Sequence, residues 1–277
     1  MNNNHLAVMM QMMQRGENPN RRDEDWMESF IGWIGGKRLL RKEILSRFPD
    51  TPVERYIEVF GGAGWVLFAK DKVPGQLEVY NDINGDLVNL FRCVKYHCGE
   101  LQRELDWLLT SREFFFDYVA QSNVQGFTDI QRAARFFYRV KLSFGCTQRT
   151  YTTSGKSVAN AVESLAKVQE RLRDVNIEHK DFADLIRVYD RAEALFYLDP
   201  PYVDTERYYD HPFSKGDHNR LRDVLGSIKG KFILSYNDCS FIRELYEGYR
   251  IESICRANIL AGNSNNTPFQ EVIIRNF

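Results

Sequence analysis

Seven short runs rich in β-branched and aromatic residues constrain this sequence most. They are YIEVF at 56–60, LEVYN at 77–81, NIEHK at 176–180, ALFYL at 194–198, KFILSY at 231–236, RIESI at 250–254 and EVIIRNF at 271–277. Several are apolar at successive positions, so both of their faces demand cover. Helical patterns fill most of the gaps, at 37–47, 64–71, 84–109, 159–173, 216–228 and 239–247. Strands and helices alternating through short loops predict an α/β fold, a doubly wound sheet of seven strands.

One interval breaks that rhythm. About 95 residues separate the second run from the third, far more than a crossover needs. We expect a mainly helical insert over 91–173 and a core domain built from 26–90 and 174–277. The insert is locally basic although the chain as a whole balances 37 Lys and Arg against 38 Asp and Glu. Between Gln131 and Arg173 lie Arg132, Arg135, Arg139, Lys141, Arg149, Lys156, Lys167, Arg171 and Arg173, opposed only by Glu163 and Glu170. A solvated helix face would look this way, and so would a surface that meets phosphates.

The turn after the first run reads Phe60-Gly61-Gly62-Ala63-Gly64. Glycines there permit a tight turn and close backbone approach to a ligand, and the following helix offers free N–H groups. Asp82 ends the second run, where an acid accepts hydrogen bonds from ribose hydroxyls. A dinucleotide fingerprint wants a third glycine at position 67, which is Leu67. The pattern therefore favours a single nucleoside cofactor, such as S-adenosylmethionine, over a nicotinamide dinucleotide.

The fourth run ends in Asp199-Pro200-Pro201-Tyr202. Proline cannot extend a central strand, so an acid, a stiff backbone and an aromatic ring stand at its C-terminal end. Asp-Pro also starts ordinary turns. The alternative is chemical: the amino group of adenine is a poor nucleophile, and methylating it calls for two acceptors of its N–H bonds. The Asp199 carboxylate and the Pro200 carbonyl supply such acceptors without reorganisation. Tyr202 offers a face on which an extruded base stacks.

These residues resemble a known family. Phe60-Gly61-Gly62-Ala63-Gly64 matches the F-x-G-x-G of S-adenosylmethionine-dependent amino-methyltransferases, and Asp199-Pro200-Pro201-Tyr202 their D-P-P-Y. Trp33, Gly35, Gly36 and Lys37 resemble the K-W-x-G-G-K segment that opens Dam-type DNA adenine methyltransferases, with Gly32 in place of the first lysine. Asp181-Phe182 stands where that family has an acid–aromatic pair beside the cofactor adenine. The resemblance runs from about residue 31 to the C-terminus. It implies a Rossmann-like methyltransferase sheet with an inserted DNA-recognition subdomain, adenine-N6 methylation of duplex DNA with base flipping, and S-adenosylhomocysteine as product. Trp33, Lys37, Phe60, Gly62, Gly64, Asp82, Asp181 and Phe182 are the expected cofactor residues; Asp199, Pro200 and Tyr202 are the expected catalytic ones. Arg139, Lys141, Arg149, Tyr151 and Lys156 are the expected DNA contacts, with TTSGK at 152–156 as a hairpin tip.

Other readings stay in view. RNA and protein-glutamine methyltransferases share the chemistry but resemble N-P-P-Y, and a nicotinamide oxidoreductase would leave Asp199–Tyr202 unexplained. Cysteines 93, 98, 146, 239 and 255 form no C-x-x-C pair, so a reduced, cytoplasmic protein without a metal is expected. Cys93, His97 and Cys98 lack a fourth ligand, and His211 and His218 are expected at the surface. No apolar run approaches the roughly 20 residues that span a bilayer. The Met-rich segment 1–25 has no signal-peptide pattern and is expected to be a disordered tail. A monomer in solution is expected.

Overall fold

Strand alternation decides which helices cover which face of the sheet. The computed structural model describes residues 26–152, 158–203, 213–256 and 269–277; the tail, Lys156, His211 and most of TTSGK lie outside them. The strands are β1 (Arg55–Glu58), β2 (Leu77–Asn81), β3 (Val175–Glu178), β4 (Ala194–Leu198), β5 (Lys231–Asn237), β6 (Arg250–Arg256) and β7 (Phe269–Arg275). Their order across the sheet is β3-β2-β1-β4-β5-β7-β6. The pairs from β3 to β5 are parallel, whereas β7 runs antiparallel between β5 and β6. This is the seven-stranded α/β architecture that the sequence pattern predicts.

In β4, Leu195 and Tyr197 join one core, while Ala194, Phe196 and Leu198 join the other. The first core is closed by α1 (Arg41–Leu45), α2 (Trp65–Ala69), α3 (Gly85–Tyr96) and α4 (Cys98–Asp106), together with α5 (Arg112–Ala120), α6 (Asp129–Leu142) and α7 (Ala159–Leu172). The second is closed by α8 (Phe182–Tyr189), α9 (Lys215–Leu225) and α10 (Ser240–Leu245). A sheet buried on both faces explains why its parallel strands read as continuous apolar runs.

The helices between β2 and β3 share their core with the sheet. Phe91, Leu101, Phe115, Phe137 and Leu165 belong to the same cluster as Tyr56, Tyr80 and Tyr197. The helix expected over 84–109 is two, because His97 leaves helical geometry at φ −133° and ψ 36°. Helix α6 starts in a reciprocal capping box between Thr128 and Gln131, which satisfies two orphan N–H groups. No helix among the described residues is long and apolar enough to cross a membrane.

His218 corrects one expectation. It is fully buried, with Nδ1 2.7 Å from the Tyr236 hydroxyl and its ring edge-on to Phe213. Its place on the inner stripe of α9, against β5, overrides the polar character read from the residue type.

Candidate active site and cofactor cavity

The strand order reverses between β1 and β4, and in open α/β sheets ligands bind beyond the strand C-termini at such a point. The turn after β1 is shaped by its glycines: Gly62 and Gly64 hold φ of +49° and +68°, the left-handed region that costs other residues most. Gly62 N donates to Asp82 Oδ2 at 2.9 Å, and Asn84 N donates to Asp82 Oδ1 at 2.8 Å. The Tyr80 hydroxyl donates to the Gly62 carbonyl at 2.7 Å. Asp82 thereby locks the glycine turn to the end of β2.

A cavity of about 400 Å³ opens over these strand ends, within the range of small-molecule sites. Its walls gather Trp33, Lys37, Phe60, Gly62, Asp82, Asp181, Phe182 and Asp199 from segments far apart in the chain. Gly64 is not on the wall; it caps α2, and a side chain there would press on Phe68. Pro200 and Tyr202 also lie behind the wall, which Pro201 reaches instead. Phe60, Phe182 and Phe213 cluster at one end with ring centroids 5.7–5.8 Å apart.

At the other end the Asp199 carboxylate is organised on one oxygen. Lys37 Nζ lies 2.7 Å from Oδ1, and the Ser235 hydroxyl donates to Oδ1 at 3.0 Å. Among the described residues no donor binds Oδ2. Burial pushes the Asp199 carboxyl above its ordinary range, and the Lys37 ammonium pulls it back. Tyr202 is only 9% exposed, with Lys37 4.6 Å over its ring and its hydroxyl donating to Glu271 Oε2 at 2.5 Å. The open stacking face expected of Tyr202 is therefore closed in this conformation by the lysine that pairs with Asp199.

Four residues of this site were not singled out from the sequence. Ser235 and Glu271 meet the D-P-P-Y segment, and Glu58 lines the cavity from the end of β1. Burial raises the Glu58 carboxyl to about 8, although the Tyr56 hydroxyl donates to it at 2.8 Å. Arg220 on α9 grips Asp181 through two bonds of 2.8 Å and stacks 4.0 Å over Phe182. That grip holds the Asp181 carboxyl below its usual range. Period-two alternation from Tyr197 would have aimed Glu58, Ser235 and Glu271 at this edge; Arg220 left no local signal.

The expected DNA contacts separate. Residues 142–152 form a hairpin, with Phe144 N donating to Thr150 O at 2.8 Å and Thr152 N to Leu142 O at 2.7 Å. Its tip is at 145–149, with Thr152 on the return limb, and the rest of the TTSGK stretch expected as a hairpin tip lies outside the described residues. Arg149 is exposed and lines both the cavity and a neighbouring polar groove of about 1060 Å³. Tyr151 instead packs against Phe115 and under Arg112, so its ring serves the hairpin's seating. Arg139 is buried beside Phe136, and Lys141 is half-buried over Phe137.

The comparisons with known proteins fit this geometry. The family model of the D12 class N6 adenine-specific DNA methyltransferases matches residues 33–258. The chain belongs to that family. A type II methyltransferase of Lactococcus lactis subsp. cremoris is 27% identical over 91% of this chain and 96% of its own length. One of Methanocaldococcus jannaschii is 26% identical over 91% and 99%, and a DNA adenine methylase of Haemophilus influenzae is 25% identical over 81% and 85%. The methyltransferase is thus an adenine-specific enzyme of DNA, and its family implies S-adenosylmethionine as methyl donor. The cavity's chemistry fits such a cofactor, with an aromatic cluster at one end, the Asp82 carboxylate beside the glycine turn, and the Asp199 carboxylate at the other end.

Proposed function

We propose that Asp199 is the acceptor that activates the adenine amino group, with the Pro200 carbonyl as its second acceptor and Tyr202 as the floor beneath them. The observation that carries this reading is the Asp199 carboxylate itself, with both of its donors on Oδ1 and Oδ2 left for the target N–H. Lys37 and Ser235 fix the carboxylate before substrate arrives, which removes reorganisation from the reaction step. When bound, S-adenosylmethionine supplies an electrophilic methyl group. Asp199 would take the proton that N6 sheds on gaining that methyl group, or pass it to solvent, and S-adenosylhomocysteine would be the product. Asp199 is only 18% exposed, so a base stacked in a duplex cannot reach it, and duplex DNA must present a flipped adenine.

Trp33, Lys37, Phe60, Gly62, Asp82, Asp181 and Phe182 would hold the cofactor, Gly64 shaping the turn rather than touching it. Arg149 on the hairpin tip is the residue best placed to read a base, because the tip borders both the cavity and the groove. Incubation with radiolabelled S-adenosylmethionine and unmethylated duplex DNA, followed by nucleoside digestion, tests the reading. We expect label in N6-methyladenine. Label in methylcytosine, or label transferred to RNA or protein in place of DNA, refutes it.

A further inference from the structure

Glu271, like Glu58, is a carboxylate of the site with no part in accepting the adenine amino group. Glu271 sits in β7 opposite Asn237 of β5 and Ile254 of β6, and it is fully buried. Its neighbours Val272, Ile273 and Ile274 show what that strand needs for packing alone. A buried charge is costly unless it is partnered, and two partners of Glu271 are Tyr202 and Lys37 of the site. Oε2 accepts the Tyr202 hydroxyl at 2.5 Å and lies 3.8 Å from Lys37 Nζ. A hydroxyl-to-carboxylate bond of that length falls in the charge-assisted range. Lys37 in turn lies 2.7 Å from Asp199 and donates to the Gly35 carbonyl at 3.0 Å. One ammonium thus stands between two carboxylates, and one tyrosine is held by its hydroxyl and by its face.

We propose that Glu271 is a positioning residue of the methyl transfer, anchoring Tyr202 by its hydroxyl and sharing Lys37 with Asp199. This rests on the reading of Asp199 as the adenine acceptor. Sharing has an electrostatic consequence. Around Asp199, Lys37 lowers the carboxyl and Glu271 raises it, while the Ser235 hydroxyl hydrogen-bonds it. Tyr197, Tyr202 and Tyr236 face the same carboxylate with phenols that burial holds far above their usual range. Removing the Glu271 charge gives Lys37 wholly to Asp199, so the Asp199 carboxyl falls.

The test compares full-length Glu271→Gln, Glu271→Asp, Tyr202→Phe and Asp199→Ala on a duplex whose target adenine, located by methylome sequencing, is replaced by 2-aminopurine for binding and retained for turnover. For Glu271→Gln we expect cofactor affinity within about twofold of the parent by calorimetry and kcat at least tenfold lower. The acid limb of its pH–rate profile should lie at lower pH, and its 2-aminopurine fluorescence rise should be smaller even without cofactor. Glu271→Asp keeps the charge and should keep the parental acid limb. A parental limb and parental fluorescence in Glu271→Gln overturn the proposal, since mere packing would move neither. Should Glu271→Gln lose cofactor affinity through misfolding, Tyr202→Phe decides: a reduced fluorescence rise supports the anchor and an unchanged one refutes it. Full activity in Asp199→Ala would instead sink the acceptor assignment and leave the contact between Glu271 and Tyr202 to be judged by fluorescence alone.

Discussion

The C-terminal edge of the sheet and the basic insert use charge in opposite ways. At the edge, the half-buried Asp199 is paired with buried Lys37, which also lies near buried Glu271, and this pairing sets a geometry that faces a cavity. In the insert, much of the basic charge that stands out in the sequence is turned inward. Arg171 donates to both oxygens of buried Glu78 and to the Leu67 carbonyl. Arg135 lies 4.1 Å over Phe127 and bonds Gln121, and Arg139 is buried beside Phe136. The difference teaches that a motif at a strand end specifies its own placement, whereas a run of basic residues does not say which of them face DNA.

The largest effect expected from this comparison is at Asp199. Asp199→Ala removes a charged acceptor from a dry site, a loss of about 2.7–4 kcal/mol or roughly 10²–10³-fold in kcat. Steady-state methylation assays measure it, with cofactor calorimetry as the control. A loss below about threefold would place the acceptor elsewhere and erase the contrast between edge and insert.

Next in size is Arg149. Because its tip borders both the cavity and the groove, Arg149→Ala should cost about 1–3 kcal/mol of discrimination at one base position. Methylome sequencing of cells expressing the variant should show a relaxed motif. An unchanged motif with unchanged occupancy would remove Arg149 from base reading and leave the insert without an identified reader.

Legibility follows the same divide. The strands were readable because a sheet covered on both faces writes apolar residues into consecutive positions, as in Ala194–Leu198. Asp82, Asp199 and the glycine turn were readable because each sits where a strand stops. Glu271 and Ser235 were hidden inside strands whose neighbours are apolar, and only the register brings them to Tyr202 and Asp199. For Tyr151 nothing local distinguishes a tyrosine reaching DNA from one packed on Phe115, where its ring lies. Arg139 and Lys141 were read as DNA contacts from the basic run; in the fold their charged heads lie over Phe136 and Phe137, and Arg139 also lines the polar groove beside Arg149.

Glu58 shows what the edge costs in stability. Its carboxyl stands at about 8 in the fold against an ordinary value of 4.5. Between those values the folded state keeps the proton while the unfolded chain loses it, so stability falls as pH rises through that window. Glu58→Gln cannot ionise and keeps an acceptor for the Tyr56 hydroxyl. Its melting temperature should exceed the parent's at pH 8, and the gap should close toward pH 5. Each kcal/mol corresponds to about 2–4 °C for a chain of this size. A gap that is constant with pH would mean the carboxyl is ionised throughout and the edge carries no such burden.

The smallest effect separates the two regions most sharply. Arg132 belongs to the basic run, but its guanidinium lies 3.8 Å from Asp86 on α3 and 3.9 Å from Asp129 on its own helix. Half-exposed pairs at those distances are worth about 0–1 kcal/mol, so Arg132→Ala should leave stability nearly unchanged. Two flanking carboxylates also offset its charge as seen by a phosphate. A residue that neutralises a phosphate adds about 0.9 to the slope of log affinity against log salt. Titration of duplex DNA across a series of salt concentrations should therefore give parental slopes for Arg132→Ala. A slope lower by about one charge would show that Arg132 leaves its carboxylates for the DNA backbone, and the inward accounting of the insert would fail at that residue.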